Sequence, residues 1–308
     1  MVLAAGDYTA TFLPELGMLG ASLTWRGAEL LSLHGGLAAY RRHSTTGLLL
    51  LAPWANRLSK KQFRAAGVEV DLRRQRVKLD TNSLPIHGTM VGPRSWEIVR
   101  LDLGRMVARF DYSTPELLAA FPFPHELEVD ARVSDAGLQV TTTLRPIGDK
   151  RVPVSFGWHP YFQAAGPRDR WALRVPAHDQ LELDRRGIPT GSATRERTHT
   201  LTLGNASLDD LCALGRDRRF TLSGRTRTID VRFDAGYPFA QLFAPAGKRF
   251  LAIEPMTAPT NALVTGTHEV AEPGDRYSAT FSVSARVGAT LGSPSALTGK
   301  GEASLSPT

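Results

Sequence analysis

The most constraining feature of this chain is the alternation of apolar and polar residues in many short segments. Such alternation puts successive side chains on opposite faces, which is typical of half-buried β-strands. It predicts strands at Gly67–Arg73, Trp96–Leu103, Met106–Tyr112, His125–Val133 and Leu138–Arg145. Asp135-Ala136-Gly137 separates the last two segments, so we predict a hairpin loop there.

The rest of the chain continues this pattern and adds little helix. Further strands are predicted at Gln180–Asp184, Phe220–Ser223, Thr228–Asp234, Phe239–Ala244, Phe250–Glu254 and Tyr277–Val287. Short helices are predicted at Pro115–Ala120 and Leu208–Gly215. Many strands, frequent Gly and Pro, and no alternation of strand with helix favour an all-β fold, a large antiparallel β-sandwich.

The length of 308 residues suffices for one large core. We predict a single β-sandwich domain over residues 1–287. The remaining segment, 288–308, consists mainly of small and polar residues, and we expect a disordered tail.

The charge and the single cysteine limit the possible partners. A formal charge of +7 favours anionic partners, but the arginines are scattered among acids and form no long basic block. We therefore expect a mixed charged surface and no nucleic-acid partner. No apolar run is long enough to cross a bilayer, and the N-terminus lacks the pattern of a signal peptide. Cys212 alone allows no intramolecular disulfide, which favours a cytoplasmic location.

Ionisable residues interrupt apolar, Pro- and Gly-flanked runs at Arg57, His87, His159 and Glu254. Apolar surroundings shift the pKa of a His or Glu, as acid–base catalysis requires. Structural roles remain open: either His could be a core residue, and Glu254 could pair with an arginine such as Arg57. No metal-ligand spacing, phosphate-binding loop or serine-nucleophile motif occurs, so we expect no metal site and no nucleotide cofactor.

Five motifs together resemble the aldose 1-epimerase (galactose mutarotase) family. They are APWANR, LPIHG, GWHPYF, LDD and EPMTAPTNAL, in the family's order, and they extend from Ala52 to Leu263. The resemblance implies a β-supersandwich that uses no cofactor. It also implies an isomerase that opens and recloses the ring of an aldose, interconverting its α and β anomers.

The resemblance also implies residue roles. Glu254 would remove the proton of the anomeric hydroxyl, and His159 would protonate the ring oxygen. His87 would bind the sugar and support ring opening. Asn56 and Arg57 would orient the substrate, Asp209 would accept a sugar hydroxyl, and Gln241 would contact the sugar. Trp54 or Trp158 could pack on the ring.

Several alternatives remain open at this point. Asp210 competes with its neighbour Asp209 for the same role. The expected substrate is a free aldohexose, but a hexose 6-phosphate would suit the basic charge. A catalytically silent sugar-binding protein on the same fold is a third reading, and a lyase or glycosidase would need two carboxylates at the scissile bond. The sequence leaves the oligomeric state undefined.

Overall fold

The structure, a computed structural model, describes residues 1–288. The strands in this part are β1 (Val2–Ala5), β2 (Tyr8–Leu13), β3 (Leu19–Trp25), β4 (Ala28–Glu29), β5 (Leu48–Leu51), β6 (Gln62–Ala65), β7 (Val68–Asp71), β8 (Glu97–Leu101), β9 (Arg105–Tyr112), β10 (His125–Ser134), β11 (Gly137–Pro146), β12 (Val152–Val154), β13 (Gly157–Phe162), β14 (Ala172–Val175), β15 (His178–Leu183), β16 (Pro189–Glu196), β17 (His199–Thr202), β18 (Leu208–Leu214), β19 (Arg219–Ser223), β20 (Arg227–Ala235), β21 (Phe239–Ala244), β22 (Leu251–Met256), β23 (Glu269–Ala271) and β24 (Tyr277–Val287). The helices are α1 (Gly36–Tyr40), α2 (Pro115–Ala120) and α3 (Ala262–Thr265), with one 3-10 turn at Arg168–Arg170.

Two large antiparallel sheets contain most of these strands. The first sheet has the order β1-β2-β3-β5-β13-β22-β21-β18-β15-β16, with β4 beside β3. The second has the order β17-β14-β19-β20-β24-β11-β10-β9-β8, and β6-β7 and β12-β23 form small separate pairs. The main apolar core takes residues from both large sheets, which therefore pack face to face. This confirms the predicted all-β, antiparallel sandwich.

The second sheet shows why alternation predicted its strands. Along β10 the side chains alternate between buried and partly exposed, so Leu127 and Val129 enter the core while Glu128 and Asp130 face outward. The predicted hairpin after β10 is confirmed, with Ser134 paired to Gly137. Gly137 is required there, because its φ is +121° and a Cβ atom would lie 2.2 Å from the Val283 carbonyl oxygen.

The centre of the first sheet was harder to predict. Strands β5, β13 and β22 are buried on both faces, so they form continuous apolar runs instead of alternating patterns. On β5, Leu48 and Leu50 face the core between the sheets, whereas Leu49 and Leu51 belong to a second apolar cluster on the outer face. The alternation therefore did not identify β5 or β13.

The prediction of a helix at Leu208–Gly215 was wrong, because the segment forms β18. Its apolar residues recur every three to four positions, which also suits a helix. Hydrogen bonding to β15 and β21 on either side makes it an interior strand instead. The predicted helix at Pro115–Ala120 is confirmed, and the Thr114 side chain accepts a hydrogen bond from Leu117 N at its start.

No helix in residues 1–288 combines the length and apolar character needed to cross a membrane. The predicted tail lies outside the described residues, apart from Gly288. That residues 1–287 form a single domain stays a prediction.

Candidate active site

Four neighbouring strands of the first sheet each direct one polar side chain to its outer face. The side chains, in strand order β13, β22, β21 and β18, are His159, Glu254, Gln241 and Asp209. Gln241 pairs directly with Glu254 in the register of β21 and β22. His159 and Glu254 occupy the middle positions between the pairs Gly157–Met256 and Tyr161–Ala252. The sheet therefore brings together residues that are up to 95 positions apart in the sequence.

His159 and Glu254 form the centre of this group. His159 Nε2 lies 3.1 Å from Glu254 Oε1, and only 3% and 2% of the two residues are exposed. The Tyr161 hydroxyl lies 3.1 Å from the same His159 nitrogen and 2.6 Å from Thr45 Oγ1. The other polar atoms of the pair, His159 Nδ1 and Glu254 Oε2, are buried without a protein hydrogen-bond partner. Such atoms are common where a site is arranged for a ligand.

Burial shifts the pKa values of this pair in opposite directions. The pKa of Glu254 is raised well above its usual range, first by burial and then by the negative charge of Asp209. The pKa of His159 is lowered well below 6.5, mainly by burial and further by the nearby His87 and His34. A carboxylate with a raised pKa is a stronger base, and an imidazolium with a lowered pKa is a stronger acid.

Two loops complete the site from the side. The loop after β5 carries Asn56 and Arg57, and Asn56 has a left-handed backbone with a φ of 55°. The other loop carries His87, whose backbone N–H donates to the Asn56 carbonyl at 3.0 Å. The next residue, Gly88, has a φ of +68°, and a Cβ atom there would overlap the Ala52 carbonyl. Only glycine therefore allows the close contact between these two loops.

Asn261 fixes the first loop from behind. Its side-chain oxygen accepts a hydrogen bond from Ser59 N at 2.8 Å, and its own N–H donates to the Arg57 carbonyl at 2.9 Å. The Asn of the EPMTAPTNAL motif therefore positions the loop that carries Asn56 and Arg57.

A chain of polar contacts links the loops to the sheet. Asn56 Nδ2 donates to Gln241 Oε1 at 3.1 Å, and Gln241 Nε2 donates to Asp209 Oδ1 at 2.6 Å. Arg57 donates to Asp80 at 2.8 Å and lies 3.6 Å from Asp209. These contacts fix the amide orientations, so the remaining polar atoms can bind hydroxyl groups with a defined geometry.

His87 closes the site opposite His159, with their ring centroids 5.5 Å apart. Burial, with the positive charges of Lys78 and Arg57, lowers the pKa of His87 to about 3. A neutral imidazole can donate a hydrogen bond from one nitrogen and accept one at the other.

The structure thus places all seven predicted site residues around one cavity of about 120 Å³. It also separates Asp209 from Asp210. Asp209 lines this cavity, whereas Asp210 points to the opposite face of β18 and lines another cavity with His178 and Gln180. Because β18 is a strand, adjacent residues necessarily face opposite sides.

Two sequence expectations need correction. Trp54 and Trp158 are fully buried in the core between the sheets and do not line the cavity, because Trp158 is adjacent to His159 and points to the other face. Arg57 pairs with Asp80 and Asp209. It is not the ion-pair partner of Glu254 among the contacts of the described residues.

The sequence did not indicate several residues that complete the cavity. Tyr161 and Phe243 provide its aromatic walls, Ile86 an apolar wall, and Thr45 binds the Tyr161 hydroxyl. Tyr161 could have been found, because it lies two positions from His159 and so shares its face. Thr45 is in a loop without any sequence signal. Within residues 1–288 no group of three or more His, Cys, Asp or Glu side chains is arranged to hold a metal ion.

Comparisons with known proteins identify the family of the chain. The family model described as "Aldose 1-epimerase" matches residues 8–284. The chain therefore belongs to the aldose 1-epimerase family. No curated protein matches the chain significantly.

Solved structures show the same fold at low identity. A galactose mutarotase-like protein from Clostridium acetobutylicum is 17% identical, with a TM-score of 0.82, over 93% of this chain and 94% of that one. The GalM/aldose epimerase homologue from C. elegans is 18% identical, with a TM-score of 0.79, over 94% and 99%. A putative aldose 1-epimerase from Escherichia coli K12 is 17% identical, with a TM-score of 0.75, over 93% and 98%.

Proposed function

We propose that this chain is a mutarotase, which interconverts the α and β anomers of an aldohexose. The observation that carries the proposal is the 3.1 Å approach of two buried groups, His159 Nε2 and Glu254 Oε1, in a cavity lined by polar side chains. Mutarotation deprotonates the anomeric hydroxyl and protonates the ring oxygen. Both oxygens are bonded to the same carbon, so the base and the acid must lie close together.

The reaction proceeds by ring opening and reclosure. Glu254 takes the proton of the anomeric hydroxyl, the electrons of that O–H bond form the carbonyl, and the bond from C1 to the ring oxygen breaks. His159 gives its proton to the departing ring oxygen. After rotation about the C1–C2 bond, His159 removes that proton again, the oxygen attacks the other face of the carbonyl, and Glu254 returns its proton to the anomeric oxygen.

The pKa shifts support these roles. A raised pKa makes Glu254 carboxylate a stronger base, and a lowered pKa makes protonated His159 a stronger acid. In the active state the pair carries one proton, on His159. Ring opening transfers this proton to the ring oxygen while Glu254 takes a second proton from the anomeric hydroxyl, and reclosure reverses both transfers. Both groups return to their starting protonation states, and none of the proposed steps uses a cofactor.

The remaining residues hold the sugar in this mechanism. Asp209 accepts a hydroxyl, and Asn56 and Gln241 orient the ring through their amides. Arg57 and His87 stabilise the negative charge that develops on oxygen during ring opening. These groups would have the same roles with a free aldohexose and with a hexose 6-phosphate. We also infer a cytoplasmic setting, because the chain has a single cysteine. The sugar is the only partner that the proposed mechanism requires.

The test measures how fast freshly dissolved α-D-glucose and α-D-galactose reach anomeric equilibrium, by optical rotation. Wild type should accelerate at least one sugar. Glu254→Gln and His159→Gln keep the size of the side chain but cannot transfer the proton. Each should reduce kcat/KM by about 10²–10⁴-fold, which is typical of general acid–base catalysis.

His125→Gln is the matched control. His125 is a fully buried histidine with one unpartnered ring nitrogen, but it lies on the second sheet, outside the cavity. Its substitution should leave kcat/KM within about twofold in the folded protein. A folded wild-type protein that binds these sugars without accelerating them would instead be a silent sugar-binding protein, and the proposed activity would be wrong.

A further inference from the structure

A second cavity lies directly beside the catalytic one and has a different character. Its volume is about 510 Å³, and its charged lining consists of four cations, Arg42, Arg76, Lys78 and Arg94. Two chain segments contribute residues to the walls of both cavities. Thr45 and His87 line the catalytic cavity, whereas their near neighbours His43 and Gly88 line the basic one.

Lys78 connects the basic cavity to the catalytic residues. Its backbone carbonyl accepts a hydrogen bond from Ile86 N at 2.9 Å, one residue before His87. The residue is half-buried, and its ammonium group donates to the His43 carbonyl at 2.6 Å. The positive charge is close enough to lower the pKa values of both His87 and His159. A partly desolvated cation of this kind favours an anion beside it.

Another cavity provides a contrast. It measures about 730 Å³ and lies on the second sheet, and it also has many arginines. There Arg174, Arg232 and Arg286 each pair with an aspartate of the same cavity, at 2.8, 3.0 and 3.3 Å. Of the four cations of the basic cavity, only Arg94 forms an ion pair among the described residues, with Glu116 at 3.5 Å, and the Glu116 side chain is 76% exposed. Three aspartates line the cavity on the second sheet, whereas no carboxylate lines the basic one.

We infer that the basic cavity formed by Arg42, Arg76, Lys78 and Arg94 binds an anionic group of the sugar, a phosphate or a carboxylate, while the anomeric end lies between His159 and Glu254. This inference rests on the proposed mutarotase function and specifies its substrate class. Guanidinium groups bind phosphate and carboxylate oxygens through paired N–H donors, and Lys78 adds a point charge. The bound anion also offsets the charge of Lys78, which favours the protonated form of His159 that the reaction needs.

The test compares kcat/KM for D-glucose, D-glucose 6-phosphate and D-glucuronate, measured by magnetisation exchange between the two anomers in NMR spectra. At least one anionic sugar should exceed glucose by about tenfold or more, the effect of one hydrogen bond to a charged group. The phosphate and carboxylate arms identify which anion the cavity prefers. The preference should weaken at high salt, because Arg42 and Arg76 are exposed.

The double variant Arg42→Gln/Arg76→Gln should lower this preference about tenfold or more. Its matched control is Arg41→Gln/Arg74→Gln, because both of these arginines are exposed neighbours that do not line the cavity. The control should retain the wild-type preference. Equal kcat/KM for neutral and anionic sugars, unchanged in both double variants, would overturn the inference.

A binding measurement separates this inference from the proposed function. Inorganic phosphate should raise the Tm of wild type and of the Arg41/Arg74 control, but not that of the Arg42/Arg76 variant. If no sugar is turned over while this pattern holds, the mutarotase proposal fails and the anion site stands. If neutral sugars are turned over and phosphate has no effect on any Tm, the mutarotase stands and the anion site fails.

Discussion

The two faces of strands β13 and β22 are almost equally buried, yet only the outer face carries His and Glu side chains. The inner face presents Trp158, Phe162 and Ile253 to the core between the sheets. The indole nitrogen of Trp158 has a hydrogen-bond partner there, since Trp158 Nε1 donates to Thr142 Oγ1 at 2.9 Å. The outer face presents His159 and Glu254, which retain unpartnered polar atoms. Burial therefore stabilises the fold on one face and shifts pKa values on the other.

The difference shows what burial of a polar group costs in this protein. Removing apolar side chains from water favours folding, whereas desolvating an ionisable group without full hydrogen bonding opposes it. Apolar packing on the inner face therefore offsets the cost of burying His159 and Glu254 on the outer face. Stability and activity should therefore respond to different faces of the same two strands.

The largest expected effect concerns the inner face. Ile253 is fully buried and is the neighbour of Glu254. Ile253→Ala should lower the free energy of unfolding by about 2–5 kcal/mol, because it removes buried apolar groups and leaves a cavity. Urea unfolding at neutral pH measures this loss. In the folded variant, kcat/KM should fall far less than in Glu254→Gln. A loss below about 1 kcal/mol would mean that the two faces differ less than their packing indicates.

The next effect concerns adjacent residues on the two faces of β18. Asp209→Asn should lower kcat/KM by about 10–100-fold, because a carboxylate that accepts a sugar hydroxyl is replaced by a neutral amide. Asp210→Asn is the matched control and should change kcat/KM by about twofold or less, since Asp210 faces another cavity. Similar losses in the two variants would contradict the assignment of Asp209 to the sugar.

The pair Asp209 and Asp210 also shows how much of the site could be predicted from the sequence. The motifs predicted that one of them faces the site, and alternation predicted the class of fold. Neither pattern could decide whether Asp209 or Asp210 faces the site, because the apolar spacing from Leu208 to Leu214 suits both a helix and a strand. The choice depends on hydrogen bonds to β15 and β21, which join this segment to residues distant in the sequence.

Local patterns also could not predict the neighbours that tune the site. Asp80 binds Arg57, and Thr45 binds Tyr161, but both lie in loops whose residues show no periodic signal. The basic cavity likewise combines Arg42, Arg76 and Arg94 from three separate segments. Their proximity follows from loop packing around His87, which a single sequence does not encode in any local spacing.

The smallest effect concerns stability on the outer face. The pKa of Glu254 is raised in the folded state, so its contribution to stability is present below the unfolded pKa near 4.5 and is lost as the pH rises through the folded pKa. Gln cannot lose a proton. Glu254→Gln should therefore be more stable than wild type at pH 8, and this advantage should shrink toward pH 4.5. Thermal unfolding at several pH values measures it. A variant that is less stable than wild type at pH 8 would mean that the Glu254–His159 contact holds the outer face together, as apolar packing does on the inner face.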